Sequence, residues 1–185
     1  YKATRFDQIK LYSLLAPDVA KAIVDRAHEV GLTVTGHIPT SLGLAGALEV
    51  GMDQIAHMPG GAADAAKTLA TRGVVIDPTM PWGELLGRGV NTAIESFEPG
   101  FATVPEALRL NYLNVRNQTD PVVFAARQRA SGAAVKALFD AGVPIVVGTD
   151  GAGGSEVFFM RCSTCSTAAR STPSAPCCQR TTHWA

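Results

Sequence analysis

The sequence predicts an α/β fold with a parallel sheet, and three observations lead to that prediction. Short apolar, β-branched runs alternate along the chain with stretches of helical periodicity. A glycine or a proline stands at each boundary between them. The predicted strands end near residues 12, 37, 57 and 77, at intervals of 20 to 25 residues. Each interval has the length of a compact strand–helix unit, and a series of such units indicates parallel strands.

The first two units occupy the N-terminal part of the chain. Residues 7–12 form the first predicted strand. Pro17 then opens a helix, because proline is tolerated in the first turn, and Gly31 ends it. Residues 32–37 form the second strand, and residues 44–50 form a short helix that a glycine closes.

The next two strands follow the same plan. Residues 53–57 form the third predicted strand, which a Pro-Gly-Gly turn stops. Residues 62–71 form an alanine-rich helix that Gly73 closes. Residues 74–77 form the fourth strand, and Pro78 stops it because proline has no N–H for a sheet ladder.

A last apolar run, residues 143–150, ends in an aspartate followed by a glycine-rich segment. The run lacks polar alternation, which predicts a strand buried on both faces, as in parallel sheets. Its final residue, Asp150, would lie at the C-terminal end of that strand, where α/β barrels build their active sites. The alternative is that Asp150 caps a turn or the next helix.

Between the strand ends at residues 77 and 150 lie 73 residues, far more than one unit needs. Residues 80–130 are therefore predicted to be an excursion that contains a helix at 105–114 and the start of a longer one at 121–141. Loops in this position commonly shape a substrate site.

Composition excludes several classes of protein. Hydrophobic residues make up 46% and charged residues 17%, which indicates a globular chain. Lys and Arg together number 16, as do Asp and Glu, so charge gives no reason to expect nucleic acid or an anionic membrane as a partner. No apolar run approaches the roughly 20 residues of a membrane helix. The chain starts at Tyr1 and almost at once enters a strand, which suggests a missing N-terminus and leaves cytoplasmic and exported locations both open.

The sequence changes character after about residue 155. Residues 155–185 are rich in Ser, Thr, Cys and Arg and show no apolar period, which is typical of a low-complexity tail or of an out-of-frame translation. All four cysteines lie here, at positions 162, 165, 177 and 178. A zinc site is a weak alternative, because the second pair lacks ligand spacing.

Four polar residues stand within or at the ends of predicted strands: Lys10, His37, His57 and Asp150. Imidazole nitrogen and carboxylate oxygen are ligands for a divalent metal such as zinc. Parallel strands place equivalent ends on one rim, so the two histidines and the aspartate can converge. The alternatives are hydrogen-bonded structural histidines and a lysine that reaches outward to solvent.

The motifs around these residues resemble the amidohydrolase superfamily, most of all its imidazolonepropionase-like and prolidase-like branch. The resemblance implies a partial (β/α)8 barrel over residues 1–154, containing strands four to eight with their helices. It also implies that Lys10 lies on the fourth barrel strand, His37 on the fifth, His57 on the sixth and Asp150 on the eighth. The matching segments are Ile9-Lys10-Leu11-Tyr12, Ala27-His28 with Gly31, Gly36-His37-Ile38-Pro39, Gly51 to His57, and Gly148-Thr149-Asp150.

By the same resemblance, the chain would hydrolyse C–N bonds of small amides, cyclic amides or dipeptides with a metal-activated water. One or two divalent ions, zinc above all, would be held by His37, His57, Asp150 and, if its amine is carboxylated, Lys10. Asp150 would act as general base and then as general acid.

The sequence departs from the family in three places, one of which is the low-complexity tail that follows Gly148-Thr149-Asp150 where the family continues with a helix. It contains no His-x-His pair, and Ala56 stands where the family has a glutamate. A catalytically inactive barrel fragment, open to association with other chains, is therefore one alternative. A nucleotide-binding doubly wound domain is another, but Gly151-Ala152-Gly153-Gly154 matches no phosphate-loop pattern.

Overall fold

The computed structural model describes residues 1–80, 100–107, 109–110, 120–148 and 150. Short parallel strands and helices alternate along this part of the chain, so the predicted α/β class is confirmed. The excursion at 80–130 is only partly described, and the tail at 155–185, with its four cysteines, lies outside the described residues.

The strands pair in parallel, two by two. Strand β1 (Gln8–Leu11) pairs with β2 (Thr33–Gly36), with Leu11 opposite Gly36. Strand β3 (Gln54–Ala56) pairs with β4 (Val75–Asp77), with Ala56 opposite Asp77. The four predicted strands are therefore all present, each shorter than its apolar run.

Asp53 joins the two pairs of strands, so that β2 and β3 lie side by side without a continuous ladder. Its N–H donates to the carbonyl of Val34, and its own carbonyl accepts from the N–H of Val75. Its carboxylate accepts from the N–H of Val34 at 2.7 Å and pairs with Nε2 of His28 at 2.9 Å. His28 of α1 is thus a partner of Asp53.

The helices begin and end where the sequence signals stand. Helix α1 (Pro17–Glu29) and helix α4 (Pro121–Asp140) both begin with a proline, and α4 is capped by the carboxylate of Asp120. Helix α2 (Gly43–Val50) and helix α3 (Ala66–Arg72) each end at a glycine with a left-handed backbone. Helix α3 starts four residues later than predicted, because residues 60–65 form turns after the Pro-Gly-Gly segment.

Short helical segments also stand in the excursion. A 3₁₀ helix covers Phe101–Thr103, and residues 106, 107, 109 and 110 are helical, within the predicted helix at 105–114. In the part of the chain that the structure describes, no helix is long and apolar enough to cross a membrane.

The core lies on one face of the strands. Leu11, Val34, Ile55 and Ile76 lie on this face of the four strands, and each is at most 1% exposed. Helices α1 and α2 cover the first two, and α3 with the end of α4 covers the other two. Because strand side chains alternate, residues such as Lys10, Thr35 and Asp77 stand on the opposite face.

The final apolar run is less regular and less buried than predicted. It makes one parallel bridge, in which Ile145 pairs with Ile76 of β4. Val143 is buried, but Val146 is 42% and Val147 is 61% exposed, so the expectation of burial on both faces is wrong. Pro144 has no N–H, and no described segment pairs with the outer edge of this run. The run is thus an edge of the described structure.

Candidate functional site

Two histidines and one aspartate meet at the C-terminal ends of the strands. His37 follows β2, and His57 follows β3. Their Nε2 atoms lie 2.8 Å apart, and their ring centroids lie 4.3 Å apart. Oδ2 of Asp150 lies 3.9 Å from Nε2 of His57. The structure therefore brings together three of the four residues that the sequence singled out, while their chemical roles stay predictions.

His57 is held in an unusual backbone conformation. Its φ is 68°, and its Nδ1 lies 2.6 Å from the hydroxyl oxygen of Thr79, which is itself buried and has a φ of 42°. Asp150 also has a positive φ, of 50°. Left-handed backbone in non-glycine residues is costly and tends to cluster at functional sites. Three of the four such residues in the described part of the chain lie at this one site.

His37 is placed by the close approach of β1 and β2. Gly36 has a φ of +128°, and a Cβ there would overlap the backbone of Leu11, so only glycine fits. The N–H of His37 donates to the carbonyl of Leu11, and its ring packs on that of Tyr12, with centroids 4.4 Å apart. The buried Nδ1 of His37 has no hydrogen-bond partner among the described residues.

The two facing Nε2 atoms limit the protonation states of the pair. A direct hydrogen bond requires that one Nε2 carries a proton and the other presents a lone pair. When His37 donates, Nδ1 of His57 carries its proton and donates to Thr79. When a neutral His57 donates from Nε2, its Nδ1 accepts from the Thr79 hydroxyl. The remaining possibility is that both lone pairs face a cation, with Nδ1–H of His57 on Thr79.

Asp77 and Thr79 complete the site, and sequence reasoning missed both. Oδ1 of Asp77 accepts from the N–H of Thr79 at 3.1 Å and from the N–H of Gly148 at 3.0 Å. A signal was present, because Asp77 stands at the C-terminal end of its strand, as the histidines do. The following proline made the segment look like an ordinary turn.

A cavity of about 510 Å³ opens onto these groups, within the range usual for small-molecule sites. Its lining mixes polar and apolar side chains from the strand ends and from α4. The lining residues are Tyr12, His37, His57, Met58, Pro78, Thr79, Met80, Gln128, Ser131 and Asp150.

Lys10 lies one step outside this lining. Its Nζ is 6.0 Å from the centroid of the Tyr12 ring, and Tyr12 in turn packs on His37. Lys10 therefore influences the site indirectly, by its position near Tyr12 and by its positive charge. Its carboxylation stays a prediction from the sequence.

The donor types at the site fit a divalent metal such as zinc, although the three donors are not fully converged. Within the described residues, no three His, Cys, Asp or Glu side chains are spaced as a complete metal-binding group. Zinc–nitrogen bonds of about 2.0–2.1 Å place two nitrogens roughly 3.3 Å apart in a tetrahedral site. The Nε2 atoms of His37 and His57, at 2.8 Å, need to separate by only about 0.5 Å to reach that spacing.

The surroundings of His37 predict a pH-dependent stability for the metal-free protein. Burial, followed by the charges of His57 and Lys10, lowers the pKa of His37 below its usual 6.5, while Asp150 acts in the opposite direction. In the window between 6.5 and that lowered pKa, the unfolded chain binds more protons than the folded chain. The free energy of unfolding is therefore expected to fall as pH drops through this window.

Urea unfolding in the presence of a chelator, from about pH 8 to about pH 5.5, measures this effect. Subtracting the same series for His37→Gln isolates the contribution of His37 from the other titrating groups. A difference that stays flat across the range would show that His37 titrates alike in the folded and unfolded chains.

Comparison with known proteins supports the fold. No family model and no curated protein matches the chain. Among solved structures, bottromycin amidohydrolase is 24% identical with a TM-score of 0.58, over 80% of this chain and 38% of that one. An uncharacterized protein is 20% identical with a TM-score of 0.50, over 80% and 35%. The chain thus spans less than two fifths of the length of these structures, and at such identities the likeness shows the α/β fold alone.

Proposed function

We propose that this chain forms strands four to eight of a (β/α)8 barrel of the amidohydrolase superfamily and hydrolyses C–N bonds with the help of a divalent metal. The observation that carries the proposal is the convergence of His37, His57 and Asp150 at the C-terminal ends of parallel strands. Barrel enzymes assemble their active sites at that end. The likeness in fold to an amidohydrolase, at 24% identity, is a second support.

The metal would be held by Nε2 of His37, Nε2 of His57 and the carboxylate of Asp150, and zinc matches these donors best. When bound, it supplies Lewis-acid polarisation of a substrate carbonyl and lowers the pKa of a water molecule. Thr79 would keep the Nδ1 proton of His57 on the far side of the ring, so that its Nε2 lone pair points into the site. Lys10, if carboxylated, would add an oxygen donor for a second ion.

Asp150 would carry the proton transfers. As general base, its carboxylate accepts a proton from the attacking water, and as general acid it returns that proton to the leaving nitrogen. The side chain of Asp150 is 41% exposed and lines the cavity, so a water and an amide can both reach it.

The substrates would be small amides, cyclic amides or dipeptides. A cavity of about 510 Å³ suits molecules of this size. Met58 and Met80 offer apolar contact, and Gln128 and Ser131 of α4 offer hydrogen bonds. Residues 81–99, within the excursion, lie outside the described part of the chain.

A catalytically inactive barrel fragment is the second candidate, and one observation favours it. The edge run at 143–148 leaves Val146 and Val147 exposed beside the site, where a closed barrel would pair a further strand. Without that strand, Asp150 would lack support on one side.

The proposed function predicts zinc-dependent hydrolysis. The chelator-treated chain, reloaded with one or two equivalents of zinc, is assayed against a dipeptide series, N-acyl amino acids and cyclic amides. Turnover that appears with zinc and disappears with chelator is the expected result. Turnover that persists in the presence of the chelator would contradict the metal dependence. Stoichiometric zinc binding without turnover on any substrate would favour the inactive fragment.

A further inference from the structure

One carboxylate oxygen holds together two segments that are far apart in the sequence. Oδ1 of Asp77 accepts from the N–H of Thr79, two residues on, and from the N–H of Gly148, 71 residues on. Because both donors lie within 3.1 Å of the same atom, a shift of the carboxylate moves both segments. The first segment leads to His57 and the second to Asp150.

The first segment runs through Thr79. Thr79 is only 6% exposed, and its backbone is left-handed, so its conformation depends on local support. The hydrogen bond from its N–H to Asp77 supplies that support. The Thr79 hydroxyl then lies 2.6 Å from Nδ1 of His57 and, as donor or acceptor, holds the ring in its orientation.

The second segment runs through Gly148, two residues before Asp150. A Cβ built on Gly148 would overlap Oδ2 of Asp77, so the carboxylate occupies the space that a side chain would take. The hydrogen bond from Gly148 fixes the backbone at a point two residues before the left-handed Asp150. A glycine is required here by contact with Asp77, since its own φ is not in the left-handed range.

We propose that Asp77 is a positioning residue, which sets the relative placement of the His57 imidazole and the Asp150 carboxylate through Thr79 and Gly148. The consequence of this role for hydrolysis rests on the proposed function, whereas the effect of Asp77 on the geometry of His57 does not. The role needs an acceptor oxygen and no charge. Asp77→Asn, whose Oδ1 can accept both N–H groups, is therefore expected to retain it, and Asp77→Ala is expected to lose it.

The direct test is the imidazole nitrogen spectrum of His57 in the metal-free chain, at one fixed pH, assigned with His57→Gln. The expected result is that Asp77→Ala shifts the Nδ1 resonance, while Asp77→Asn leaves it in place. Asp64→Ala, at an exposed aspartate that does not line the cavity, is the matched control. An unchanged spectrum in Asp77→Ala, or equal shifts in Ala and Asn, would overturn the proposal.

A second set of variants keeps the test decisive if Asp77→Ala does not fold. Thr79→Val removes the hydroxyl and should reproduce the shift, whereas Thr79→Ser keeps the hydroxyl and should not. Gly148→Ala displaces the Asp77 carboxylate and should also shift the His57 resonance. Gly60→Ala, where a Cβ meets nothing within 4 Å, is its control. No shift in either Thr79→Val or Gly148→Ala would contradict the proposal.

Zinc affinity gives an independent readout. Partners that orient a metal ligand typically contribute 10- to 100-fold to affinity, so Asp77→Ala is expected to weaken zinc binding by about that factor and Asp77→Asn to leave it unchanged. If Asp77 acts through Thr79, combining Asp77→Ala with Thr79→Val should weaken binding no more than the worse single change. Additive losses of zinc affinity in the double variant would overturn the proposal that Asp77 acts through Thr79. If the chain binds no zinc, the proposed function fails, and the His57 spectra still decide the role of Asp77.

Discussion

Replacing Asp150 with asparagine is expected to lower turnover of an amide substrate by roughly 10³-fold, the size of a lost general acid–base. Asparagine has nearly the same shape but cannot accept the proton of the attacking water at neutral pH. Its carbonyl oxygen still faces Nε2 of His57, so zinc is expected to remain in the site. The measurement is kcat on the best substrate found for the zinc-loaded chain, together with zinc content.

The matched control is Asp140→Asn, which neutralises an exposed aspartate paired with Lys136 at the end of α4. It should leave kcat and zinc content unchanged. A variant at position 150 that keeps its zinc and also keeps its turnover would remove Asp150 from the mechanism. A variant that loses zinc and turnover together would indicate that Asp150 acts mainly as a metal ligand.

Replacing His57 with alanine is expected to weaken zinc binding by more than about 100-fold, because even partners behind the ligands contribute 10- to 100-fold. The change removes the ring whose Nε2 faces His37, so His37 remains as the single imidazole donor of the site. Competition against a chromophoric chelator measures the affinity, and thermal unfolding checks that the variant still folds.

His28→Ala controls for the loss of any histidine. His28 is on α1, and its ring pairs with Asp53, the residue before β3. His28 is not among the residues that line the cavity. It should lower stability slightly and leave zinc affinity unchanged. Equal losses of affinity in the two variants would indicate adventitious binding by surface histidines.

Much of the fold could be predicted because the relevant signals are local. Pro17 and Gly51 mark a helix start and a helix end through their own backbone geometry, and the structure places both where the sequence indicated. The burial of residues 143–148 could not be predicted in the same way. An apolar run shows that a surface can be covered, and it does not show whether a neighbouring strand is present to cover it.

The residues of the candidate site could likewise be predicted only in part. His37, His57 and Asp150 could be placed together because parallel strands bring equivalent ends to one rim, a rule that needs no side-chain detail. Asp77 and Thr79 could not, since their roles depend on one hydrogen bond across 71 residues and on a left-handed backbone at Thr79. No periodicity in the sequence reports either feature.

The zinc K-edge X-ray absorption spectrum of the zinc-loaded chain tests the central claim most directly, because it identifies the atoms that hold the metal. The account predicts nitrogen and oxygen neighbours at about 2.0–2.1 Å, with the outer-shell scattering of two imidazole rings. His37→Ala should remove part of that imidazole signal. A spectrum dominated by sulfur at about 2.3 Å would place zinc on the cysteines of residues 155–185 and would contradict the site at His37, His57 and Asp150.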